Sequence, residues 1–378
     1  MATFLRHRAR FLGAFVLALA VLSGFPASAS AVGLGPMINR ETTITIVSAM
    51  TSVSCWSVSD CVAVGWYAQS RSSGTVYIGL VYRTTDGGTS WKRVNLNGPV
   101  EELESVSCPS ASLCVAVGEE WKGRAFSSAL LSKDAGRHWT DTTMTFPGIV
   151  DFGPTAIDCP SSSICFTGSG GGIGLGKSTD GGRTWKLIAK FANVNQIACP
   201  TVNVCEVATA RLMLRTTNSG RSWTRQFPPS AVPIYLGVSC PTASTCGVVG
   251  ASSSLLMTTD GGKKWTHHSV GIRVHTVKIQ FLTIVSCAST STCVVGGFAG
   301  PYWDTFETPN GGNTWTAARS PDLTAILQGL FSIQCYADGA CEMAGQVAYY
   351  SLPPLHAAIF TTTDGIDWTS QPVSYPGQ

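Results

Sequence analysis

The sequence predicts an all-β fold, a seven-bladed β-propeller in which every blade is a four-stranded antiparallel sheet. A Cys-x5-Cys pair occurs seven times, and a Ser/Thr-x-Asp/Asn-x-Gly-x-x-Trp segment follows six of the pairs, with a shortened copy after the seventh. Successive pairs are 53, 51, 40, 41, 47 and 48 residues apart. A period of roughly 40 to 50 residues is that of a propeller blade. A β-solenoid usually needs a shorter period, and two packed β-sandwiches would not repeat the turn chemistry so evenly.

Each repeat divides into four short runs that are typical of strands. In the second repeat, Glu104 to Ser107 leads into the first cysteine, and Cys114 to Gly118 is apolar and β-branched. Ser128 to Leu131 forms the third run and His138 to Thr142 the fourth. Gly, Ser and Asp separate the runs at turn positions. The sequence therefore predicts a four-stranded meander in each repeat.

The cysteines predict one disulfide in each blade. All 14 cysteines fall into the seven pairs, which are Cys55/Cys61, Cys108/Cys114, Cys159/Cys165, Cys199/Cys205, Cys240/Cys246, Cys287/Cys293 and Cys335/Cys341. Each pair lies where the first strand turns into the second, and facing residues of two strands have a Cα separation that suits a disulfide. Closing so short a loop stabilises the fold by about 2 kcal/mol at most. Cys-x5-Cys spacing does not favour redox or metal chemistry, and His267, His268 and His275 lack a zinc-type spacing, so we expect no metal site.

The segments that end in tryptophan, here called the tryptophan turns, predict rigid β-turns. Six copies span residues 84 to 91, 132 to 139, 178 to 185, 216 to 223, 258 to 265 and 308 to 315, and the last, residues 364 to 368, is one residue short. The Asx side chain accepts hydrogen bonds from nearby amides, glycine supplies positive φ, and tryptophan buries the hairpin against its own blade. Because Asn218 and Asn310 replace aspartate in two copies, a structural role explains this position better than acid–base chemistry does.

The tryptophan turns resemble the Asp-box, or bacterial neuraminidase repeat, which is shared by sialidases, sortilin-type receptors, xyloglucan-hydrolysing propellers and secreted propellers similar to photosystem II assembly factors. The layout of an apolar strand that ends in glycine, followed by Thr-Thr-Asp-Gly-Gly-x-x-Trp, is most similar to the last group. The resemblance covers nearly the whole chain and implies the propeller fold. It implies little about the ligand, because the Asp-box in these families lies away from the ligand site.

Residues 1 to 31 are typical of a secretory signal peptide. Three arginines precede an apolar run of about 12 residues, Phe11 to Leu22, which is shorter than the roughly 20 residues that a membrane-spanning helix needs. Removing those arginines leaves 22 Lys and Arg residues against 22 Asp and Glu, so electrostatics gives no reason to expect nucleic acid. We expect cleavage, no membrane span afterwards, and a secreted or cell-envelope location whose oxidising conditions preserve disulfides. An uncleaved signal anchor is the alternative.

Residues 32 to 49 are predicted to be a lead-in and residues 50 to 378 a single propeller. The stretch Thr43 to Val47 offers a closing strand for the last blade. Because the repeats already supply four strands in order, closure by packing between the first and last blades is the alternative.

Strand polarity places the disulfide turns and the tryptophan turns on one face of the disc. The connections from second to third strand and from blade to blade then emerge on the other, here called the loop face. Loops on a rigid scaffold usually carry binding residues. The candidate ligand-binding residues there are Trp66, Tyr67, Trp121, Arg124, Arg211, Arg273, Trp303 and Asp304. Packing against a neighbouring blade is the alternative role for each aromatic side chain.

The sequence favours a binding or scaffold protein over an enzyme. A sialidase-like glycoside hydrolase is the alternative, and Arg124, Arg211 and Arg273 lie on the predicted loop face. That chemistry needs an arginine triad, a Tyr/Glu pair and an aspartic acid. The Arg-Ile-Pro segment expected near the start of a sialidase is missing, and sialidases resemble six blades. A xyloglucanase places two aspartates between two propellers, and one propeller is predicted here.

We therefore expect no catalytic residues and no cofactor. Gly171 to Ser178 matches the P-loop pattern, but that pattern needs an α/β context, and here it begins a tryptophan turn. The expected partner is a protein, peptide or glycan bound by a monomer. A purely structural component of the cell envelope is the third alternative.

Overall fold

The apolar and β-branched runs of the repeats form the predicted strands. The computed structural model describes residues 47–71, 74–96, 100, 102–121, 125–146, 149, 153–190, 193–228, 234–274, 276–300, 302–318, 325–349 and 352–373. In this part of the chain there are 30 strands and no helix. The predicted signal peptide lies outside the described residues.

Seven antiparallel four-stranded sheets follow one another in chain order and confirm the predicted seven-bladed propeller. Blade 1 is β1 (Val47–Cys55), β2 (Cys61–Arg71), β3 (Gly74–Thr84) and β4 (Lys92–Val94); blade 2 is β5 (Glu102–Ser110), β6 (Leu113–Trp121), β7 (Ala125–Ser132) and β8 (Thr140–Thr143); blade 3 is β9 (Pro154–Asp158), β10 (Cys165–Ser169), β11 (Leu175–Ser178) and β12 (Lys186–Ala189); blade 4 is β13 (Val194–Ala198), β14 (Cys205–Thr209), β15 (Met213–Thr216) and β16 (Thr224–Gln226). Blade 5 is β17 (Tyr235–Ser239), β18 (Cys246–Gly250), β19 (Ser254–Thr258) and β20 (Thr266–Ser269). A two-stranded hairpin follows, β21 (Arg273–Val274) and β22 (Val277–Lys278). Blade 6 is β23 (Phe281–Cys287), β24 (Cys293–Ala299), β25 (Tyr302–Thr308) and β26 (Thr316–Ala317), and blade 7 is β27 (Ala325–Cys335), β28 (Cys341–Tyr349), β29 (Leu352–Thr362) and β30 (Thr369–Pro372).

The first strands form the inner ring of the disc. Each contacts the first strand of the next blade, from β1 to β5, β9, β13, β17, β23 and β27, and β27 contacts β1 again. Blade 7 is complete with its own four strands, so the described residues close the ring by packing between blades, one of the two predicted modes. Residues 47 to 49, predicted as part of the lead-in, belong to the innermost strand of blade 1, and residues 43 to 46 lie outside the described part.

An apolar cluster fills each of the seven seams between blades. The closing seam, for example, joins Met50 and Leu80 of blade 1 to Ala344 and Ile359 of blade 7. Each turn tryptophan lies in the seam with the preceding blade, as Trp139 does against Val62 and Val81. The indole was expected to bury the hairpin against its own blade, whereas in the structure it also joins that blade to its neighbour.

A repeated hydrogen bond crosses the seams beside the disulfides. The residue before the first cysteine of one blade accepts a bond from the backbone N–H of the first cysteine in the next, as Ser54 Oγ does from Cys108 at 2.9 Å. The same bond joins Ser107 to Cys159, Asp158 to Cys199, Ser239 to Cys287 and Ser286 to Cys335. At the closing seam Gln334 makes it twice, accepting from Cys55 N–H at 2.8 Å and donating to Cys55 C=O at 2.9 Å.

A bulge at one position bends every first strand. In blade 2 the register shifts between Leu103 and Ser105, which leaves Glu104 as the extra residue opposite Gly118. A Cβ on Gly118 would lie 1.9 Å from the carbonyl oxygen of Glu102. The close approach of the bulged strand therefore requires glycine at position 118, within the second strand.

All seven predicted disulfides form, and their turns share a face with the tryptophan turns, as predicted. The Cα atoms of Cys55 and Cys61 are 4.0 Å apart, and the other six pairs are within 0.1 Å of this value. The two kinds of turn bond to each other directly, since Gly87 N–H donates to Ser59 C=O at 3.0 Å and Gly261 N–H to Ser244 C=O at 2.8 Å. We call this face the disulfide face.

Gly118→Ala should lower the free energy of unfolding by more than about 2 kcal/mol, because the new methyl group and the Glu102 carbonyl oxygen cannot occupy the same space. Gly271→Ala is the control, since nothing lies within 4 Å of its added Cβ. Denaturant unfolding of both variants tests the bulge. Equal stability of the two variants would contradict it.

Gln334→Ala should lower the free energy of unfolding by about 1–3 kcal/mol, because it removes both bonds to Cys55 and leaves a backbone N–H without its partner. Amide hydrogen exchange should become faster at Cys55 and stay unchanged at Cys108, whose acceptor is Ser54. The exposed Gln280 provides the control substitution, Gln280→Ala. Unchanged exchange at Cys55 would show that the closing seam does not depend on this side chain.

Candidate functional site

The loop face is strongly uneven in height. In blades 6, 7, 1 and 2 the second and third strands have 7 to 11 residues, whereas in blades 3, 4 and 5 they have four or five. Because blade 7 packs against blade 1, the four tall blades are neighbours in the ring. They form a continuous wall, here called the tall arc, beside a low floor of three blades.

The tall arc reaches its greatest height at blade 1. There β2 and β3 stay paired for six residues beyond Gly65, out to Arg71 and Gly74. At about 3.3 Å per residue, this extension is about 20 Å long. In blade 7 the pairing continues four residues beyond Gly345, or about 13 Å. A partner that lies on the floor would therefore contact a wall at its side.

Aromatic side chains run along the tall arc from blade 6 to blade 1. In blade 6 the ring of Phe298 lies 5.1 Å from both Phe281 and Trp303. In blade 1 the edge of Tyr77 meets Trp66 at 5.7 Å, and Phe331 of blade 7 packs on the same cluster. Tyr77, Phe281, Trp303 and Phe331 are only half-buried, so each keeps part of its surface in contact with solvent.

The predicted aromatic site residues lie on this arc but differ in burial. Trp66 and Tyr67 are 4% and 5% exposed and pack between blades 7 and 1, so the packing alternative describes their side chains. Trp121 ends β6. Trp303 is half-buried between blades 6 and 7, and Asp304 beside it accepts a bond from the N–H of Thr305 at 2.8 Å.

The three predicted arginines do not form a described cluster. Arg124 lies outside the described residues. Arg211 is exposed in the short turn between β14 and β15 of blade 4, on the floor. Arg273 lies in β21, before blade 6, and donates to the carbonyl oxygen of Thr276 at 2.9 Å. Arg211 and Arg273 thus come from different blades, and Arg273 is held by its own turn.

The aspartates of the tryptophan turns are occupied by their own turns. Asp86 Oδ1 accepts bonds from Thr84 Oγ1 and the N–H of Ser90, while Oδ2 accepts from Ser90 Oγ. These bonds hold the pKa of Asp86 below its ordinary value, the Ser90 side chain contributing most. Asn218 makes the same contacts with Thr216 and Ser222, which supports the structural role predicted from the sequence.

Glu342 and Asp86, in the closing seam, are a pair of carboxyl groups with strongly different proton affinities. Burial, followed by the charge of Asp86, raises the pKa of Glu342 to about 8. Such a pair is typical of acid–base catalysis. Here, however, Glu342 is 4% exposed and lies under Gly88, and Asp86 is held by its turn. Substrate therefore has no access to Glu342.

A Tyr/Glu pair, Tyr336 and Glu342, also lies on the disulfide face. The hydroxyl of Tyr336 donates to Ser57 C=O at 2.7 Å across the closing seam, and burial followed by the charge of Glu342 raises the Tyr336 pKa. A phenol so placed is a poor nucleophile. The lysine of the P-loop-like segment is structural too, because Lys177 Nζ donates to the carbonyl oxygen and hydroxyl of Ser219 at 2.7 Å each.

Among the described residues, no group of three or more His, Cys, Asp or Glu side chains is arranged to hold a metal ion. Within the same residues, no helix has the length and apolar character to cross a membrane.

Sequence reasoning missed the tall arc, because it treated each loop separately. The signal was the length of the apolar and aromatic stretch after each second cysteine, which is long in repeats 1, 2, 6 and 7. It also missed Glu102 and Glu104, which are half-buried on the inner strand of blade 2. Glu119 lies opposite Glu102 on the neighbouring strand, so the three glutamates place acidic side chains at the blade 2 end of the arc.

No protein-family model matches the sequence, and a search of curated proteins finds no match. Solved structures are similar in fold. YCF48 bound to a D1 peptide has a TM-score of 0.57 and 15% identity, covering 86% of this chain and 100% of that chain. The GH74 xyloglucanase from Xanthomonas campestris has a TM-score of 0.62 and 14% identity, covering 87% of this chain and 55% of the enzyme. YCF48 from Cyanidioschyzon merolae has a TM-score of 0.57 and 13% identity, covering 79% and 93%. At these identities the similarity establishes the propeller fold alone, and the chain spans about half the length of the xyloglucanase.

Glu342→Gln should stabilise the protein increasingly as the pH rises from 5 to 8. The ordinary Glu pKa of 4.5 applies to the unfolded chain, and the folded value is about 8, so the folded state binds more protons between them. Wild-type stability therefore falls across this window, and neutral glutamine removes that loss. We expect the variant to exceed wild type by more than about 1 kcal/mol at the upper end. Denaturant unfolding measures the difference; exposed Asp367→Asn is the control, and a pH-independent difference would contradict the assignment.

Proposed function

We propose that this chain is a non-catalytic binding or scaffold propeller, exported from the cytoplasm, whose tall arc recognises a segment of another protein. The observation that carries the proposal is the asymmetry of the loop face. Seven blades with one repeated structural unit have no structural need for four tall hairpins on one side. Long paired strands hold the wall rigid, which suits recognition without a large ordering cost.

The composition of the arc fits a protein partner. Aromatic residues are enriched at protein interfaces, with polar groups around them. Half-buried Tyr77, Phe281, Trp303 and Phe331 supply the aromatic surface, and carboxylates of blade 2 supply charge at one end. The rings of Phe281, Phe298 and Trp303 pack against one another, so their faces are partly covered. A sugar ring needs an open aromatic face, and these rings therefore favour a peptide.

The comparisons support the proposal in one respect. YCF48, whose whole length matches this chain in fold, has been solved with a D1 peptide bound. A single propeller of this size therefore suffices to bind a peptide. The partner of the present chain is a separate matter, since 15% identity carries no ligand across.

Export is the second part of the proposal. Seven disulfides among the described residues suggest an oxidising, extracytoplasmic environment. The signal-like residues 1 to 31 agree with that location. Expression with and without these residues, followed by fractionation, tests it. Equal amounts of the two forms outside the cytoplasm would contradict an export role for the segment.

Selection of a random peptide library displayed on phage should yield peptides that bind wild type and that lose at least about tenfold in affinity when the wall is lowered. The lowered variant joins Ala68 to Tyr77 through an Asn-Gly turn in place of residues 69 to 76. It keeps Trp66 and Tyr77 in contact, and Asn-Gly suits a two-residue hairpin. Arg183→Ala, on the disulfide face, is the matched control and should bind as wild type does.

Peptides that bind the lowered variant as tightly as wild type would show that the tall arc is not the site. Selection of no peptide, together with binding to a glycan array, would replace the protein partner with a glycan. Hydrolysis of a fluorogenic sialoside by the purified chain would contradict the non-catalytic assignment.

A further inference from the structure

A cleft of about 490 Å³ lies between blades 1 and 2 on the disulfide face, away from the tall arc. Its lining residues are Arg83, Thr85, Asp86, Ser90, Lys92, Arg93, Val94, Asn95, Arg137 and His138. Four of the ten are Lys or Arg, although the guanidinium of Arg93 lies against Tyr67, and one is a carboxylate. The chain as a whole has nearly balanced charge, 25 basic against 22 acidic residues, so this concentration of positive charge is local. We call it the cation cleft.

Two strands of blade 1 and one turn of blade 2 build the cation cleft. Arg83 and Lys92 are direct partners across β3 and β4, so their side chains share one side of the sheet. Val81, on that same side, packs in the seam with blade 2. Arg137 and His138 come from the tryptophan turn of blade 2. Arg93 alternates to the other side of β4, where its guanidinium lies 5.9 Å from the Tyr67 ring centre.

The acidic groups nearby are already bonded. Arg83 is paired with Asp60 at 3.6 Å, and His138 contacts Asp134 at 2.5 Å. The Asp86 oxygens accept bonds from the neutral groups of Thr84 and Ser90, which lower its pKa, so this carboxylate keeps one negative charge in the cleft. Lys92 and Arg137 are exposed, and neither has an ion pair among the described residues. Their charges are thus available to an anion that enters the cleft.

The charge of the three equivalent positions varies from seam to seam. The seam of blades 2 and 3 has Leu131, Thr140 and Arg183, and the seam of blades 6 and 7 has Glu307, Thr316 and Asp367. The seam of blades 3 and 4 also has three cations, Lys177, Lys186 and Arg221; Lys186 and Arg221 are exposed, as Lys92 and Arg137 are, and the amine of Lys177 is bonded to Ser219. The repeat therefore does not impose the positive charge of the cation cleft.

We propose that the cation cleft binds a sugar that carries a phosphate or sulfate group. Guanidinium and ammonium groups form strong charge-assisted hydrogen bonds to such oxyanions. The side chains of Thr85, Ser90 and Asn95 add hydroxyl and amide groups suited to sugar hydroxyls. A volume of about 490 Å³ exceeds what a lone oxyanion fills and lies within the range of small-ligand sites. This site is independent of the proposed function of the tall arc.

Calorimetric titration of the full chain with glucose 6-phosphate and glucose 6-sulfate, at physiological ionic strength, tests the proposal. Wild type should bind at least one of the two, and it should bind glucose at least about tenfold more weakly. Lys92→Ala and Arg137→Ala should each weaken binding by about tenfold or more. Both side chains are exposed, so both variants should fold, and unchanged denaturant unfolding confirms this.

Arg183→Ala is the matched control, because Arg183 occupies in blade 3 the position of Arg137 in blade 2. It should bind as wild type does. An equal loss of affinity in Arg183→Ala and Arg137→Ala would show that only the net charge of the protein matters, which would overturn the proposed site. Inorganic phosphate binding as tightly as glucose 6-phosphate would overturn the sugar component. Absence of binding by both sugar esters would overturn the proposal, while the peptide selection on the tall arc would be unaffected.

Discussion

Beside the apolar packing of its seams, the ring depends on a hydrogen bond to the amide of the first cysteine of a blade. In six of the seven seams, the side chain just before the first cysteine of one blade accepts a hydrogen bond from that amide in the next. The first strands lie innermost, so one side of each faces the channel and has no strand partner. Without an acceptor from the neighbouring blade, these amides would lose hydrogen bonds on folding. Blade 4 offers Ala198 at this position and relies on apolar packing there.

The disulfides and the tryptophan turns act on the same edge of this inner ring. Each disulfide fixes the turn that leads out of the first strand, and in blades 1 to 6 the tryptophan turn donates a hydrogen bond to that turn. The indole then fills the seam with the preceding blade, as Trp185 does against Val115. These contacts make the disulfide face rigid. The strands and connections therefore differ in length mainly toward the loop face.

In the described part of the chain the ring closes without strand exchange, which gives the seam of blades 7 and 1 special importance. It has the doubly bonded Gln334, the Tyr336 bond to Ser57, and the buried Glu342 beneath Gly88. The tall arc also crosses it, so the wall joins the two ends of the described chain. Ligand binding along the arc would therefore stabilise the closed ring. The cation cleft lies one seam away on the opposite face, which separates the two proposed sites.

Much of the fold could be predicted from the sequence, because the signals are local. The spacing of the cysteines, the alternation of strand runs and the chemistry of Thr84, Asp86 and Gly88 each act within one repeat, and together they specified blade number, disulfide pairing and the shared face. The candidate site could be predicted only in part. Trp66 and Trp303 were predicted in loops but lie in β2 and β25, and their burial depends on Phe331 and Phe298, which come from other strands. Ring closure alone makes blades 6, 7, 1 and 2 neighbours, and only packing places Arg137 beside Lys92. The sequence by itself thus determined the repeating unit, whereas the tertiary structure decided which irregular features meet, because those contacts join residues far apart in the chain.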